Sequence, residues 1–296
     1  MTSLQKGNST GAFAIILWSS LALFTVSTGN IPPFQLTFMT FSVAFCIGLV
    51  WWIRNGARLG VFKKIPWRVW LLGVAGLFGY HFFYFLAVKK APALEANLIN
   101  YLWPLLIVLF SAFLPHEKLR WYHVAGALCG FAGAFLLIGG KGVTFSFAYA
   151  EGYFYALLCA FTWSAYSVLS RYFGEIPTVA VGAFCGVTAL LSLGAHLVLE
   201  KTHIPTYTEL FSALGLGLGP VGLAFFVWDY GVKKGDIKFI GALSYLTPLL
   251  STLLLVFFGR AVPHEDIWIA CGLIMGGSLI SSMGFLRFKT RNRPLL

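Results

Sequence analysis

Apolar residues run through this chain in ten blocks, at roughly 11–29, 33–53, 68–88, 94–114, 121–140, 151–171, 178–199, 209–231, 239–259 and 266–286, separated by short polar connections. A block of about 20 residues spans the hydrocarbon core of a bilayer as a helix rising 1.5 Å per residue. The pattern predicts an all-α, polytopic membrane protein with ten transmembrane helices. The connections leave no room for a soluble domain. Before the first block stands a single Lys6, and no small-residue cleavage site follows it, so this block reads as a retained helix rather than a cleaved signal.

Two blocks carry polar positions in their middle. In one, Asn97, Asn100, Tyr101 and Pro104 fall at i, i+3, i+4 and i+7, one face of a helix. Pro104 cannot donate a backbone hydrogen bond, and its ring crowds the carbonyl of Asn100. A carbonyl freed in hydrocarbon is tolerated only where protein or a wet cavity receives it. The other block repeats the design: Gly241, Ser244, Tyr245 and Pro248, with Pro248 expected to free the carbonyl of Ser244. The run Val88-Lys89-Lys90 followed by Tyr101-Leu102-Trp103-Pro104 matches Val232-Lys233-Lys234 followed by Tyr245-Leu246-Thr247-Pro248 at a constant offset of 144.

The repeat reaches further. Trp18-Ser19 and Ile31-Pro32 recur as Trp163-Ser164 and Ile176-Pro177, Pro115-His116-Glu117 recurs as Pro263-His264-Glu265, and Gly126 and Gly130 recur as Gly272 and Gly276. Small residues at that spacing let helices pack closely. The halves are 1–145 and 146–296, each of five spans. Five is odd, so the second half enters the membrane from the opposite side, which makes an inverted repeat. Interrupted helices in corresponding positions of such halves are a pointer to a transporter's binding site, and the prolines are candidate hinges.

Composition agrees with a membrane protein: 58% of residues are hydrophobic and 10% charged, with mean hydropathy +0.81, against about 25% charged residues in soluble domains. The formal net charge of +11 does not indicate nucleic acid, because the Lys and Arg flank the spans. With the N-terminus inside, 16 of the 21 fall on the inner side and 5 on the outer, which predicts cytoplasmic termini and an internal loop from Arg54 to Arg68. The five cysteines lie within apolar runs and lack CxxC spacing, so neither a disulfide nor a metal site is expected.

Candidate chemistry lies at bilayer depth. Tyr80, His81 and Tyr84 share one side of the third span, and Trp163, Tyr166, Ser167 and Ser170 one side of the sixth. Tyr101, Trp103 and Tyr245 fall within about three residues of a mid-span proline, roughly 5 Å of rise, too deep for the interfacial role that suits Trp51, Trp52, Trp67, Trp70, Trp121 and Tyr122. His81 is an intramembrane ionisable group, open either to proton movement or to a neutral, hydrogen-bonded role. Asp229, four residues before Lys233, predicts a helical ion pair. Glu117 and Glu265 sit at helix ends and predict capping or loop contacts. No Lys, Arg, Asp or Glu falls near the middle of any span. Anion carriers need buried cations, whereas a zwitterion can be held by amides, hydroxyls and helix ends. A membrane enzyme would need a catalytic set at that depth, where only isolated polar residues stand, and a channel or scaffold would not require two broken helices in inverted register; no cofactor is implied.

Ten spans in two five-helix repeats, a Trp in the first helix of each half and a Glu after the fourth resemble the drug/metabolite transporter superfamily, EamA type, over the whole chain. The runs Gly79-Tyr80-His81-Phe82-Phe83-Tyr84 and Asn100-Tyr101-Leu102-Trp103-Pro104 are similar to members that export aromatic amino acids. The resemblance implies export of amino acids, aromatic and other neutral ones, across a bacterial inner membrane by alternating access, by a chain expected to act as a monomer. Efflux of other neutral or aromatic metabolites or drugs is the alternative. The residues expected to meet the cargo are Tyr80, His81, Tyr84, Asn97, Asn100, Tyr101, Trp103, Trp163, Ser244 and Tyr245.

Overall fold

The structure is a computed structural model, and it describes residues 1–56, 60–115, 117–139, 143–260, 266–281 and 283. Among the described residues, nine helices are long and apolar enough to cross a membrane: α1 (Ser3–Val26), α2 (Pro33–Arg54), α3 (Trp67–Lys90), α4 (Ala93–Phe113), α5 (Trp121–Gly139), α6 (Phe147–Tyr172), α7 (Ala180–Leu199), α8 (Tyr207–Lys234) and α9 (Ile237–Phe257). A shorter apolar helix, α10 (Asp266–Ser281), occupies the tenth predicted block. Helix α1 begins well before its apolar run because Thr2 and Gln5 form a reciprocal capping box. Proline sets other starts, at Pro33 in α2 and just ahead of α3 and α4 at Pro66 and Pro92. Pro263, His264 and Glu265, together with the basic residues Arg58, Lys141 and Arg287 to Arg293, lie outside the described residues.

The packing partners carry the inverted repeat. Helix α1 packs on α8, and α6 on α3; α2 packs on α7, and α5 on α10. Adding five to each helix number exchanges the first two pairs and returns the last two to themselves, as a two-fold relation requires. The α2–α7 crossing is close enough that a Cβ on Gly48 would stand 2.8 Å from Gly182 Cα. At α5–α10 the small residues differ from expectation. Gly126 and Gly130 do face other chain segments, but Gly272 and Gly276 have open space around them, and Gly277 makes the contact, with its added Cβ 2.9 Å from Gly130 N. A 3.6-residue turn places 277, not 276, toward α5.

Both proline helices are interrupted where the sequence places the breaks. Helix α4 divides into Ala93–Asn100 and Trp103–Phe110, and α9 into Ile237–Leu243 and Leu246–Phe257. Each break is a tightened turn: Leu102 N donates to Ile99 O at 3.0 Å, and Tyr245 N to Ala242 O at 3.3 Å. One expectation is corrected. The carbonyl of Ser244 is not free, since Thr247 N donates to it at 3.0 Å. The turn closes itself with an i→i+3 bond that Pro248, one residue later, does not obstruct.

Two further irregularities were not anticipated. Helices α3 and α8 each widen into a π-turn, at Ala75–Gly79 and Gly219–Leu223, matched at the same 144-residue offset. In α8 the cause is Pro220, which withholds an N–H. In α3 the segment holds Gly76 and Gly79, and Gly76 lies against the Tyr166 ring. So four helices, α3, α4, α8 and α9, depart from regular geometry near mid-depth.

Candidate functional site

A cavity of about 270 Å³ sits between the halves. Helix α3 supplies Tyr80, His81, Tyr84 and Phe85; α4 supplies Asn97, Asn100, Tyr101 and Trp103; α1, α2, α6, α8 and α9 complete it with Trp18, Thr37, Thr40, Trp163, Pro220, Phe225 and Thr247 among others. These positions run from mid-helix toward the end of the bundle that carries the α1–α2 and α7–α8 connections. The cavity therefore belongs to that end, and its floor lies at mid-depth. Among the described residues, no Lys, Arg, Asp or Glu lines it.

Tryptophan makes the floor. Trp18 of α1 and Trp163 of α6, equivalent in the repeat, touch each other with centroids 5.6 Å apart, which places them beside the pseudo-two-fold axis. Trp103 joins them at 6.0 Å from Trp18, and Trp228, fully buried and not itself lining the cavity, packs behind Trp18 at 4.8 Å. Ser164 Oγ donates to the Trp103 carbonyl at 2.9 Å, and Trp228 Nε1 to Ser167 Oγ at 3.1 Å. Edge and tilted aromatic contacts of this kind add about 0.5–1.5 kcal/mol each to area burial.

The polar wall is an ordered chain of side chains. Tyr84 Oη donates to Asn97 Oδ1 at 3.0 Å, Asn97 Nδ2 to the Ala93 carbonyl at 2.8 Å, and Asn100 Nδ2 to Tyr80 Oη at 3.1 Å. His81 Nδ1 lies 2.7 Å from the carbonyl of Leu77, inside the α3 π-turn, so that nitrogen carries a proton. The widened turn exposes a carbonyl, and the imidazole takes it. Phe41 stands edge-on to the same ring at 5.0 Å.

The other end of the bundle is closed by charge. Glu117, between α4 and α5, receives Arg171 Nη2 at 2.6 Å and also pairs with Lys238. Arg171 Nη1 donates onward to the carbonyls of Val232 at 2.7 Å and Gly235 at 2.6 Å. Burial pushes the Glu117 carboxyl up, but Lys238 and Arg171 outweigh it and hold it below its ordinary value. Nearby, Asp229 pairs with Lys233 at 2.7 Å and accepts from Thr178 Oγ1 at 2.7 Å. The Asp229–Lys233 pair has the i, i+4 form expected of it.

Eight of the residues expected at the site, Tyr80, His81, Tyr84, Asn97, Asn100, Tyr101, Trp103 and Trp163, are brought together in the cavity wall. Ser244 and Tyr245 are not: both are fully buried away from it. Ser244 Oγ turns back to the Ile240 carbonyl at 2.8 Å. Tyr245 crosses to the first half, where its hydroxyl accepts from Leu105 N at 3.2 Å. That N–H is the one Tyr101 would ordinarily hold within the helix, so Tyr245 mends the α4 break. Sequence reasoning passed over Trp18 and Thr247, although the repeat marked both: Trp18 pairs with Trp163, and Thr247 with Trp103.

Two five-helix halves in inverted register, two broken helices and an uncharged cavity open toward one end define a multi-pass membrane transporter. The EamA-like transporter family matches the chain twice, over residues 5–139 and 150–283, and the chain belongs to it. It is 51% identical over 275 residues to the aromatic amino acid exporter YddG of Ancylobacter novellus, covering 92% of this chain and 96% of that protein. Against the aromatic amino acid exporter YddG of Escherichia coli the identity is 27%, with 93% and 96% covered. A solved crystal structure at 50% identity superposes with a TM-score of 0.91 over 95% of this chain and 98% of the other.

Proposed function

We propose that the protein exports amino acids, aromatic and other neutral ones, across a bacterial inner membrane by alternating access. One observation carries the reading: a mid-membrane cavity with a tryptophan floor, an amide and phenol wall, and no fixed charge. An anion or an organic cation would find no counter-charge there, whereas a zwitterion needs none and its ring is received by the indoles. The names of the similar exporters support the same cargo. Residues 1–145 and 146–296 act as the two moving units. A single chain builds the whole cavity, so one copy suffices. Both termini are cytoplasmic, following the Lys/Arg bias, and the cavity faces outward. Neutral aromatic drugs are the weaker reading, because they would leave the polar wall unanswered.

Proteoliposomes loaded with labelled amino acids test this. Downhill efflux of phenylalanine and tryptophan, well above empty liposomes and slowed by Trp163→Ala, is the expected outcome. Efflux that excludes amino acids but passes uncharged aromatics would refute it. Repeating the assay with a pH gradient separates facilitated transport from a His81 proton relay. Impermeant thiol labelling in cells should reach a cysteine at Asn30 and not one at Gly56.

A further inference from the structure

Two buried polar atoms of the cavity wall have no protein partner among the described residues: Asn100 Oδ1 and Thr247 Oγ1. Their residues are only 5% and 8% exposed. Each sits at a helix interruption, Asn100 closing the segment Ala93–Asn100 and Thr247 in the first turn of Leu246–Phe257. The other end of the Asn100 amide is committed, since Nδ2 donates to Tyr80 Oη at 3.1 Å. Because the Tyr80 oxygen accepts that bond, its own proton remains to be given away. A bare acceptor and an available donor therefore stand side by side on two side chains that fix each other. Beside them His81, with Nδ1–H on the Leu77 carbonyl, keeps a lone pair on Nε2 when the ring is neutral.

The α-carbon end of an amino acid is the complement of this pair. Its ammonium is three donors with no acceptor, and its carboxylate accepts only. Resting on the reading that the cargo is an amino acid, we propose that Asn100 and Tyr80 form the subsite for the zwitterionic end. Asn100 Oδ1 accepts from the ammonium, the Tyr80 hydroxyl donates to the carboxylate, and Thr247 contributes its hydroxyl from the second half. The cargo's side chain then lies toward the aromatic floor, where the Trp163 ring is 5.5 Å from that of Tyr80. The polar end is thus held at both interrupted helices at once.

The test is competition against labelled phenylalanine on the purified full-length protein, with 3-phenylpropanoate, which lacks the ammonium, and phenethylamine, which lacks the carboxylate. The wild type is expected to prefer phenylalanine over both by at least tenfold. Tyr80→Phe should weaken phenylalanine and 3-phenylpropanoate about tenfold and phenethylamine less than twofold. Asn100→Ala should weaken phenylalanine and phenethylamine and spare 3-phenylpropanoate. Tyr80→Phe removes one oxygen and keeps the ring, so it decides the matter even if Asn100→Ala does not fold. Equal weakening of all three ligands, or a wild type that binds 3-phenylpropanoate as tightly as phenylalanine, overturns the subsite while the cargo reading stands. If the wild type binds no amino acid but binds uncharged aromatics, both fall.

Discussion

Tyr101 and Tyr245 are the same position in the two halves, yet they do different things. The Tyr101 side chain faces the cavity, and its hydroxyl has no protein partner among the described residues, whereas the Tyr245 hydroxyl caps Leu105 N from across the interface. Removing that hydroxyl leaves a buried N–H unpaired, which costs about 1–3 kcal/mol. Tyr245→Phe is therefore expected to lower the melting temperature of the purified protein, and Tyr101→Phe to leave it nearly unchanged. Equal shifts in the two would mean that the Leu105 bond contributes nothing. The difference also explains why Tyr245 could not be assigned from sequence. The periodicity that put it on a polar face was right, but two equivalent residues in an inverted repeat occupy different environments whenever one end of the cavity is open. A repeat cannot say which end that is.

At the scale of elements, the ten spans, the two breaks and the polar faces of α3 and α4 were legible because each is local: a run of apolar residues, a proline, a spacing of three or four. The π-turns were not. Pro220 was a visible signal in α8, but Gly76 and Gly79 in α3 differ in no obvious way from the many other glycines of the chain. The Gly277 contact was missed for a related reason, since a sequence match fixes a position along a helix but only packing fixes its azimuth. The proline breaks carry a prediction. Pro104→Ala and Pro248→Ala each restore a missing N–H, and a proline in an ordinary helix interior costs about 3 kcal/mol. Both variants should keep or raise the melting temperature, lose transport, and shift two-sided cysteine accessibility in opposite directions. Normal flux with unchanged accessibility in both would make the breaks static kinks.

Across the whole molecule, the closed end is fastened by Glu117, Arg171 and Lys238, whereas the described contacts at the open end are of another kind: Lys90 pairs with Glu151 at 3.2 Å, and Glu200 and Glu209 accept from backbone N–H groups at Phe34 and Asn30. At offsets of 144 to 145, Arg171 corresponds to Val26, Lys238 to Leu94 and Asp229 to Phe85, while Glu265, the counterpart of Glu117, lies outside the described residues. Glu117 is held below the ordinary carboxyl value of 4.5, mainly by Lys238 and Arg171 against the opposing effect of burial. A depressed carboxyl stabilises the fastened form above its unfolded-state value, and that contribution fades as pH falls through the lower folded-state value. The wild type should thus lose thermal stability, and gain accessibility from the fastened end, as pH drops below about 4.5. Glu117→Gln should show the opened behaviour already at neutral pH and a flatter profile. An unchanged accessibility profile in Glu117→Gln would remove the carboxylate from the fastening.

On the proposed function, a carrier held shut at one end by Glu117, Arg171 and Lys238 has a consequence for the cell's economy of amino acids. In an exporter that rests facing outward, the fraction of molecules ready to load from the cytoplasm is small. The apparent affinity for internal cargo is the intrinsic affinity divided down by that fraction. If the inward form is about 1% of the population, internal binding is weakened about a hundredfold. Such a carrier would draw little from an ordinary metabolic pool and respond when the pool is overfull, and on that reading Glu117, Arg171 and Lys238 would set the threshold of an overflow valve.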